Sequence, residues 1–213
     1  MSPDASFIHR FIPAAESGSP ITLLLLHGTG GNEEDLIPLG QGLLPGAALL
    51  SVRGKVLEHG MPRFFRRFAE GVFDIEDLKQ RTHELAAFIE AAQREYQFGG
   101  EIVAVGYSNG ANIAASLMML HPGLLSGGVL FRAMAPIVPE EKPSLHGTRV
   151  LLAAGKRDPI ARPDQPRKLA AILEEAGATV LLHWHDGGHE IGQDDMTAAR
   201  LWLTKQSREP EHF

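Results

Sequence analysis

At 213 residues with 44% hydrophobic content, the chain can bury one sizeable core but is too short for two comfortable α/β domains, so a single domain over 1–213 is expected. Its 20 basic and 26 acidic residues leave a net charge of −6, which gives a nucleic-acid or anionic-membrane partner little support, and its lack of cysteine excludes disulfides, thiolate metal sites and a thiol nucleophile. No apolar run reaches the roughly 20 residues of a membrane helix, and Met1-Ser2-Pro3-Asp4 does not lead a basic region into an apolar one, so no signal peptide is read and a cytoplasmic location is the default expectation.

In chain order, Ile21 to Leu26 is a continuous apolar run, Thr22 tolerated, that ends in His27-Gly28-Thr29-Gly30-Gly31. That is the pattern of a buried parallel strand feeding a glycine-rich loop. Ala47 to Val52 reads as the next strand, and Ser51 to Phe73 as a long loop carrying Arg63-Phe64-Phe65-Arg66-Arg67-Phe68. From Asp74 as a cap, Ile75, Leu78, Leu85, Ile89, Ala92 and Tyr96 recur at helical spacing. Glu101 to Val105 is short and β-branched, which suits a strand, and Ala111 to Leu120 reads as a helix with apolar residues all round. His121-Pro122 closes that helix at an end where the dipole favours an imidazolium. Strands at Gly127 to Phe131, Thr148 to Ala154 and Val180 to Trp184 follow, with helices at Gln165 to Ala176, closed by Gly177, and from about Asp194 to Gln206. Residues 13–20 and 136–147 read as loops, and no internal repeat is visible. Strands that are nearly all apolar and alternate with helices predict an α/β fold with a mostly parallel, doubly wound sheet covered on both faces.

The segment Gly106-Tyr107-Ser108-Asn109-Gly110 joins the Glu101 to Val105 strand to the Ala111 to Leu120 helix and matches G-x-S-x-G. In that context the pattern is a nucleophile elbow, whose sharp turn exposes the serine at the sheet's carboxyl edge. The turn is too tight for a Cβ at 106 or 110. Active groups collect where parallel strands end, and two later strand ends carry Gly155-Lys156-Arg157-Asp158-Pro159 and His185-Asp186-Gly187-Gly188-His189. Ser108, Asp158 and His189 therefore occur in the order nucleophile, acid, histidine. A serine hydroxyl needs a base at neutral pH, and the base needs an acid to fix its tautomer. An oxyanion also needs donors, which the Asn109 amide and the Thr29 amide of the glycine-rich loop offer.

Leu25-Leu26-His27-Gly28-Thr29-Gly30-Gly31-Asn32, the elbow, Ala154-Gly155-Lys156-Arg157-Asp158-Pro159-Ile160 and His183-Trp184-His185-Asp186-Gly187-Gly188-His189 together resemble the α/β-hydrolase superfamily. Within it the chain is similar to the small bacterial carboxylesterase and phospholipase group, relatives of acyl-protein thioesterases and dienelactone hydrolases. The resemblance spans roughly residues 20 to 204. It implies a serine esterase that needs no metal or organic cofactor, acting on a small-molecule ester, and a homodimer is a reasonable assembly. Dienelactone hydrolases use a cysteine nucleophile and this chain has none, so their particular substrate does not carry over.

Several competing readings stand beside this one. Asp158 could merely cap the turn before Pro159, with Asp164 or Asp186 as the acid instead. His27 could shape its loop, and His183 and His185 could pack on the sheet. His183, His185 and His189 could instead form a zinc hydrolase site, or the fold could serve a catalytically silent binding protein. Between Ser108 and Asp158 lie strand and helix elements, so no large lid is expected there. The 51–73 loop is expected to cover the site, with Phe64, Phe65 or Phe68 lining the acyl or aryl pocket, unless these rings pack the loop onto the sheet. An inward Arg63, Arg66 or Arg67 would suit an ester carrying a carboxylate. Small acyl or aryl esters are the expected substrates, with thioesters and lysophospholipids as alternatives open to the same machinery.

Overall fold

The structure, a computed structural model, describes residues 7–15 and 19–206. Met1 to Asp4 and residues 16–18 of the expected 13–20 loop lie outside the described residues. The strands are β1 (His9–Ile12), β2 (Thr22–Leu26), β3 (Ala48–Val52), β4 (Val56–Glu58), β5 (Met61–Arg63), β6 (Arg67–Ala69), β7 (Val72–Phe73), β8 (Ile102–Tyr107), β9 (Gly127–Phe131), β10 (Arg149–Gly155) and β11 (Thr179–His185). The helices are α1 (Ile37–Leu43), α2 (Ile75–Tyr96), α3 (Asn109–Leu120), α4 (Asp164–Glu175) and α5 (Gln193–Gln206).

Seven strands form the central sheet in the order β1-β3-β2-β8-β9-β10-β11. All neighbours pair in parallel except β1, which runs antiparallel along β3 with His9 opposite Val52. The alternation of side chains along each strand explains the continuous apolar runs. Leu24, Leu26, Ala104, Leu130 and Leu152 bury one face beneath α2, α3 and α4. Leu23, Leu25, Val103, Val105, Val129 and Leu151 bury the other beneath α1 and α5. Strand order reverses between β2 and β8, so the loops leaving these two strands diverge side by side at the sheet's carboxyl edge. Such a switch point is where an open α/β sheet places its site.

The structure has the expected α/β architecture, a mostly parallel sheet covered on both faces, and it departs from the sequence expectation in three places. β1 and α1 are additional elements. Helix α1, Ile37-Pro38-Leu39-Gly40-Gln41-Gly42-Leu43, has poor intrinsic propensity. Tertiary contact holds it: a Cβ on Gly40 would stand 3.1 Å from Leu25 and 3.3 Å from Leu49 side-chain atoms, so the glycine lets the helix sit close to the sheet. The long loop is corrected to two small hairpins, β4–β5 and β6–β7. By contrast, α2 begins where its pattern does, with Asp74 accepting from the Asp77 amide and Glu76 and Asp77 in the first turn. At the end of α3, His121 does not keep the raised basicity that a helix dipole would give. Burial, then the neighbouring His83 ring 2.8 Å away, lowers its pKa from 6.5.

Candidate active site

The elbow is held open by the backbone around it. Ser108 has φ 52° and ψ −113°, a strained conformation for a residue with a Cβ, of a kind that costs about 1–3 kcal/mol. Its amide donates to the Phe131 carbonyl at 2.9 Å, and its carbonyl accepts from Asn112 at 3.0 Å. A Cβ on Gly110 would lie 2.0 Å from the Leu26 carbonyl oxygen, and one on Gly106 would lie 2.7 Å from the Ala111 Cα. Both glycines are therefore dictated by close backbone approach, one to the glycine-rich loop's strand and one across the turn itself.

Ser108, His189 and Asp158 meet although they lie far apart in the chain. The Ser108 hydroxyl is 2.9 Å from His189 Nε2, and His189 Nδ1 is 2.8 Å from Asp158 Oδ2. An ionised carboxylate only accepts, so Nδ1 donates to it and Nε2 is left to accept from the hydroxyl. Asp158 is buried, and its other oxygen, Oδ1, accepts from the Ile160 and Ala161 amides at 2.8 and 3.0 Å. The turn-capping role and the histidine contact are thus both present, on different oxygens. Asp186 instead faces Lys156 at 2.8 Å, whose ammonium lowers its pKa, and Asp164 sits near Arg162. The loop bearing His189 is also held by Tyr107, whose hydroxyl donates to the His189 carbonyl at 3.1 Å. Burial raises the pKa of that phenol.

Among the described residues, the amides of Thr29 and Asn109 donate to no group of the fold. The loop that carries Thr29 is anchored through His27. Its Nδ1 donates to the Gly28 carbonyl at 2.6 Å, and its Nε2 accepts from the Gly54 amide at 3.0 Å. Burial lowers its pKa from 6.5, which keeps the ring neutral and this pair of bonds intact.

The 61–65 segment braces the same two amides rather than lining a pocket. The Gly30 amide donates to the Pro62 carbonyl at 2.9 Å, and Arg63, buried, donates from Nη1 to Thr29 Oγ1 at 2.6 Å. The Phe64 amide donates to Asn109 Oδ1 at 2.7 Å. The cavity of about 240 Å³ beside Ser108 is lined by Thr29, Arg67, Glu70, Tyr107, Ser108, Ile160 and His189. Phe64 and Phe65 are not among those residues. They are buried, Phe64 against the His27 ring and Phe65 against Phe73. Phe68 is 76% exposed, and Arg66 turns to Asp74 and Asp77. The expectation of Phe64, Phe65, Phe68 and Arg66 as substrate contacts is therefore corrected, because core packing and ion pairing take up all but Phe68, which faces solvent.

Arg67 does reach the cavity, but it is paired with Glu58 at 2.9 Å and with Glu70. Tyr107 and Ile160 lie within the motifs read from sequence, although neither is assigned a role there. Glu70 carried no local signal. A second cavity, about 520 Å³, lies across the loop and shares Thr29 and Tyr107 with the first, adding His27, Asp35, Leu36 and Ile191. A larger cleft of about 660 Å³ lies away from the triad, near Ile75, Met119 and Val138. The three strand-end histidines do not meet at one point: His183 and His185 each lie 3.8 Å from Asp195, whereas His189 turns to Asp158 and Ser108. Among the described residues, no group of three or more His, Asp or Glu side chains is placed to hold a metal. No helix among them is long and apolar enough to cross a membrane.

Residues 66–197 match the model of the dienelactone hydrolase family. The chain is 50% identical over 181 residues to MhqD of Bacillus subtilis (strain 168), covering 84% of this chain and 90% of that one. Its fold is similar to that of a Bacillus cereus carboxylesterase, with a TM-score of 0.91 and 47% identity over 95% of each chain. A carboxylesterase from Mesorhizobium loti is similar at a TM-score of 0.88 and 33% identity, over 94% of this chain and 96% of that one.

Proposed function

Since the chain belongs to the dienelactone hydrolase family and is a hydrolase of the carboxylesterase type, we propose that it cleaves carboxylic esters through an acyl-enzyme on Ser108. The observation that carries this reading is the unbroken line from Ser108 Oγ through both nitrogens of His189 to Asp158 Oδ2, beside the amides of Thr29 and Asn109, which donate to no group among the described residues. Serine takes the nucleophile position in a chain that has no cysteine.

In this reading the reaction runs as follows. His189 Nε2 accepts the Ser108 proton as Oγ attacks the ester carbonyl, and the resulting oxyanion is held by the amides of Thr29 and Asn109. Asp158 holds the imidazole in the tautomer with its proton on Nδ1 and stabilises the imidazolium without taking its proton. His189 then gives the proton on Nε2 to the departing alkoxide as the carbon–oxygen bond breaks. Water enters, gives its proton to Nε2, and attacks the acyl carbon. Collapse of that second intermediate releases the acid and returns the proton to Ser108. Each oxyanion donor in such a site is worth about 10²–10³ in turnover.

A cavity of about 240 Å³ suits a small acyl or aryl group. Arg67 offers little free charge to a substrate carboxylate, because Glu58 and Glu70 already face it. Neutral esters are therefore the favoured class. The test is a panel of p-nitrophenyl esters beside an organophosphonate probe. Turnover lost in step with labelling of Ser108 supports the reading; turnover that resists the probe but is abolished by a chelator contradicts it. Faster hydrolysis of carboxylate-bearing than of neutral esters would contradict the substrate class alone.

A further inference from the structure

Arg132 is a buried charge that the catalytic steps above leave unused. Arg132 follows β9 with φ 60°, an uncommon conformation for a residue with a side chain, and is 1% exposed. Its partner Asp195, in the first turn of α5, is equally buried: Nη1 donates to Asp195 Oδ1 at 3.3 Å and Nη2 to Oδ2 at 2.5 Å. The other bonds of the guanidinium include three to main-chain carbonyls. Nη1 donates to Ala153 at 2.8 Å, Nε to Gly188 at 3.1 Å and Nη2 to Glu190 at 2.5 Å. Nη2 also contacts His185 Nε2.

Gly188 and Glu190 flank His189, so one planar group grips the histidine loop on both sides. The backbone of the same region reaches the nucleophile. Phe131, the residue before Arg132, accepts the Ser108 amide, while the Arg132 amide donates to Ala153 at 2.9 Å. Stability is a weak reason to keep such an ion pair, since apolar replacements of buried pairs are often neutral or stabilising. A reason lies in geometry: only a guanidinium has a rigid fork of donors that can serve separate carbonyls and a carboxylate at once.

We infer that Arg132, neutralised by Asp195, is a positioning residue that fixes the distance between His189 Nε2 and Ser108 Oγ. It acts through the carbonyls of Gly188 and Glu190 and touches no reacting atom. This inference rests on the serine reading above, and the test separates the two.

Arg132→Lys in the full chain keeps the charge opposite Asp195 but loses the fork. The expected result is a cooperatively folded protein whose kcat falls on the order of a hundredfold, as for a small misplacement of a catalytic group, with KM little changed. The rate of phosphonate labelling at Ser108 falls with kcat, because labelling depends on the same Ser108–His189 contact. Asp195→Asn keeps the fork and weakens its neutralisation, so its kcat falls between wild type and Arg132→Lys. Wild-type kcat and labelling rate in Arg132→Lys overturn the inference, as does a loss expressed wholly in KM. If Arg132→Lys does not fold, wild-type kcat in Asp195→Asn overturns it. A wild-type chain with neither turnover nor labelling overturns the serine reading and this inference together.

Discussion

The elbow at residues 106–110 and the hairpin segment at residues 56–73 flank the same small cavity, yet they are specified in opposite ways. At the elbow, main-chain geometry decides the residues: Gly110 stands where a Cβ would meet the Leu26 carbonyl at 2.0 Å, and Ser108 is held at φ 52° by bonds on both sides. In the hairpins, side chains decide the structure. Phe64 and Phe65 go inward and Phe68 goes outward, while Arg63 bonds Thr29, Arg66 turns to Asp74 and Asp77, and Arg67 pairs with Glu58, which also lies 3.6 Å from Arg63. A backbone constraint restricts residue type at a fixed position and can be read locally, whereas a side-chain partner lies at a distance that spacing does not encode.

This contrast can be broken or sharpened by substitution. The largest effect is expected at Asp158→Asn, which allows the wrong histidine tautomer. Turnover of a p-nitrophenyl ester should fall about 10⁴-fold, with the melting temperature little changed. A loss of less than tenfold, measured on folded protein, would remove Asp158 from the proposed line. Next is Gly110→Ala, where the added Cβ meets two backbone oxygens that cannot yield. Destabilisation by more than about 4 kcal/mol is expected in urea unfolding, or no folded protein at all. A stable, active variant would show that the elbow is looser than described.

Arg63→Met carries the contrast into the hairpins. It removes the donor to Thr29 Oγ1 and to the Phe65 carbonyl, so the oxyanion loop should lose its register. Turnover should fall by about a hundredfold, comparable to loss of one oxyanion donor, whereas unchanged kinetics would reduce the segment to a cover. A smaller, pH-dependent effect follows from His27 and His121, whose pKa values burial lowers from 6.5. The unfolded chain takes up these protons first as pH falls. Stability is therefore full above about 6.5 and declines as pH drops from there toward the folded-state values. Urea midpoints should fall between pH 7.5 and pH 5.5, and fall less in His121→Asn; an equal fall in that variant would contradict the assignment to His121. The smallest effect belongs to Phe68→Ser. Its ring is exposed, so stability should stay within about 0.5 kcal/mol, and a larger loss would mean the ring packs on something.

The same distinction explains what was legible in the sequence. The apolar runs of β2, β8, β9 and β10 announced a covered parallel sheet, and the elbow and the two later strand ends announced Ser108, Asp158 and His189. Helix α2 was readable from its spacing and from Asp74. Helix α1 was not, because its glycines and proline argue against a helix and only contact with Leu25 and Leu49 makes one. The hairpins were hidden by their brevity, since strands of two or three residues have no periodicity to detect. Arg132 was hidden for another reason: nothing nearby in sequence foretells bonds to Gly188, Glu190 and Asp195, 56 to 63 positions away.

The central claim is that Ser108 Oγ becomes acylated during turnover. Rapid acid quench during hydrolysis of p-nitrophenyl acetate, followed by peptide mass mapping, tests it directly. The account predicts one acetyl group on the peptide containing Ser108, with neither acylation nor turnover in Ser108→Ala. Acetyl on another residue, or a Ser108→Ala protein that hydrolyses the ester at the wild-type rate, would contradict it.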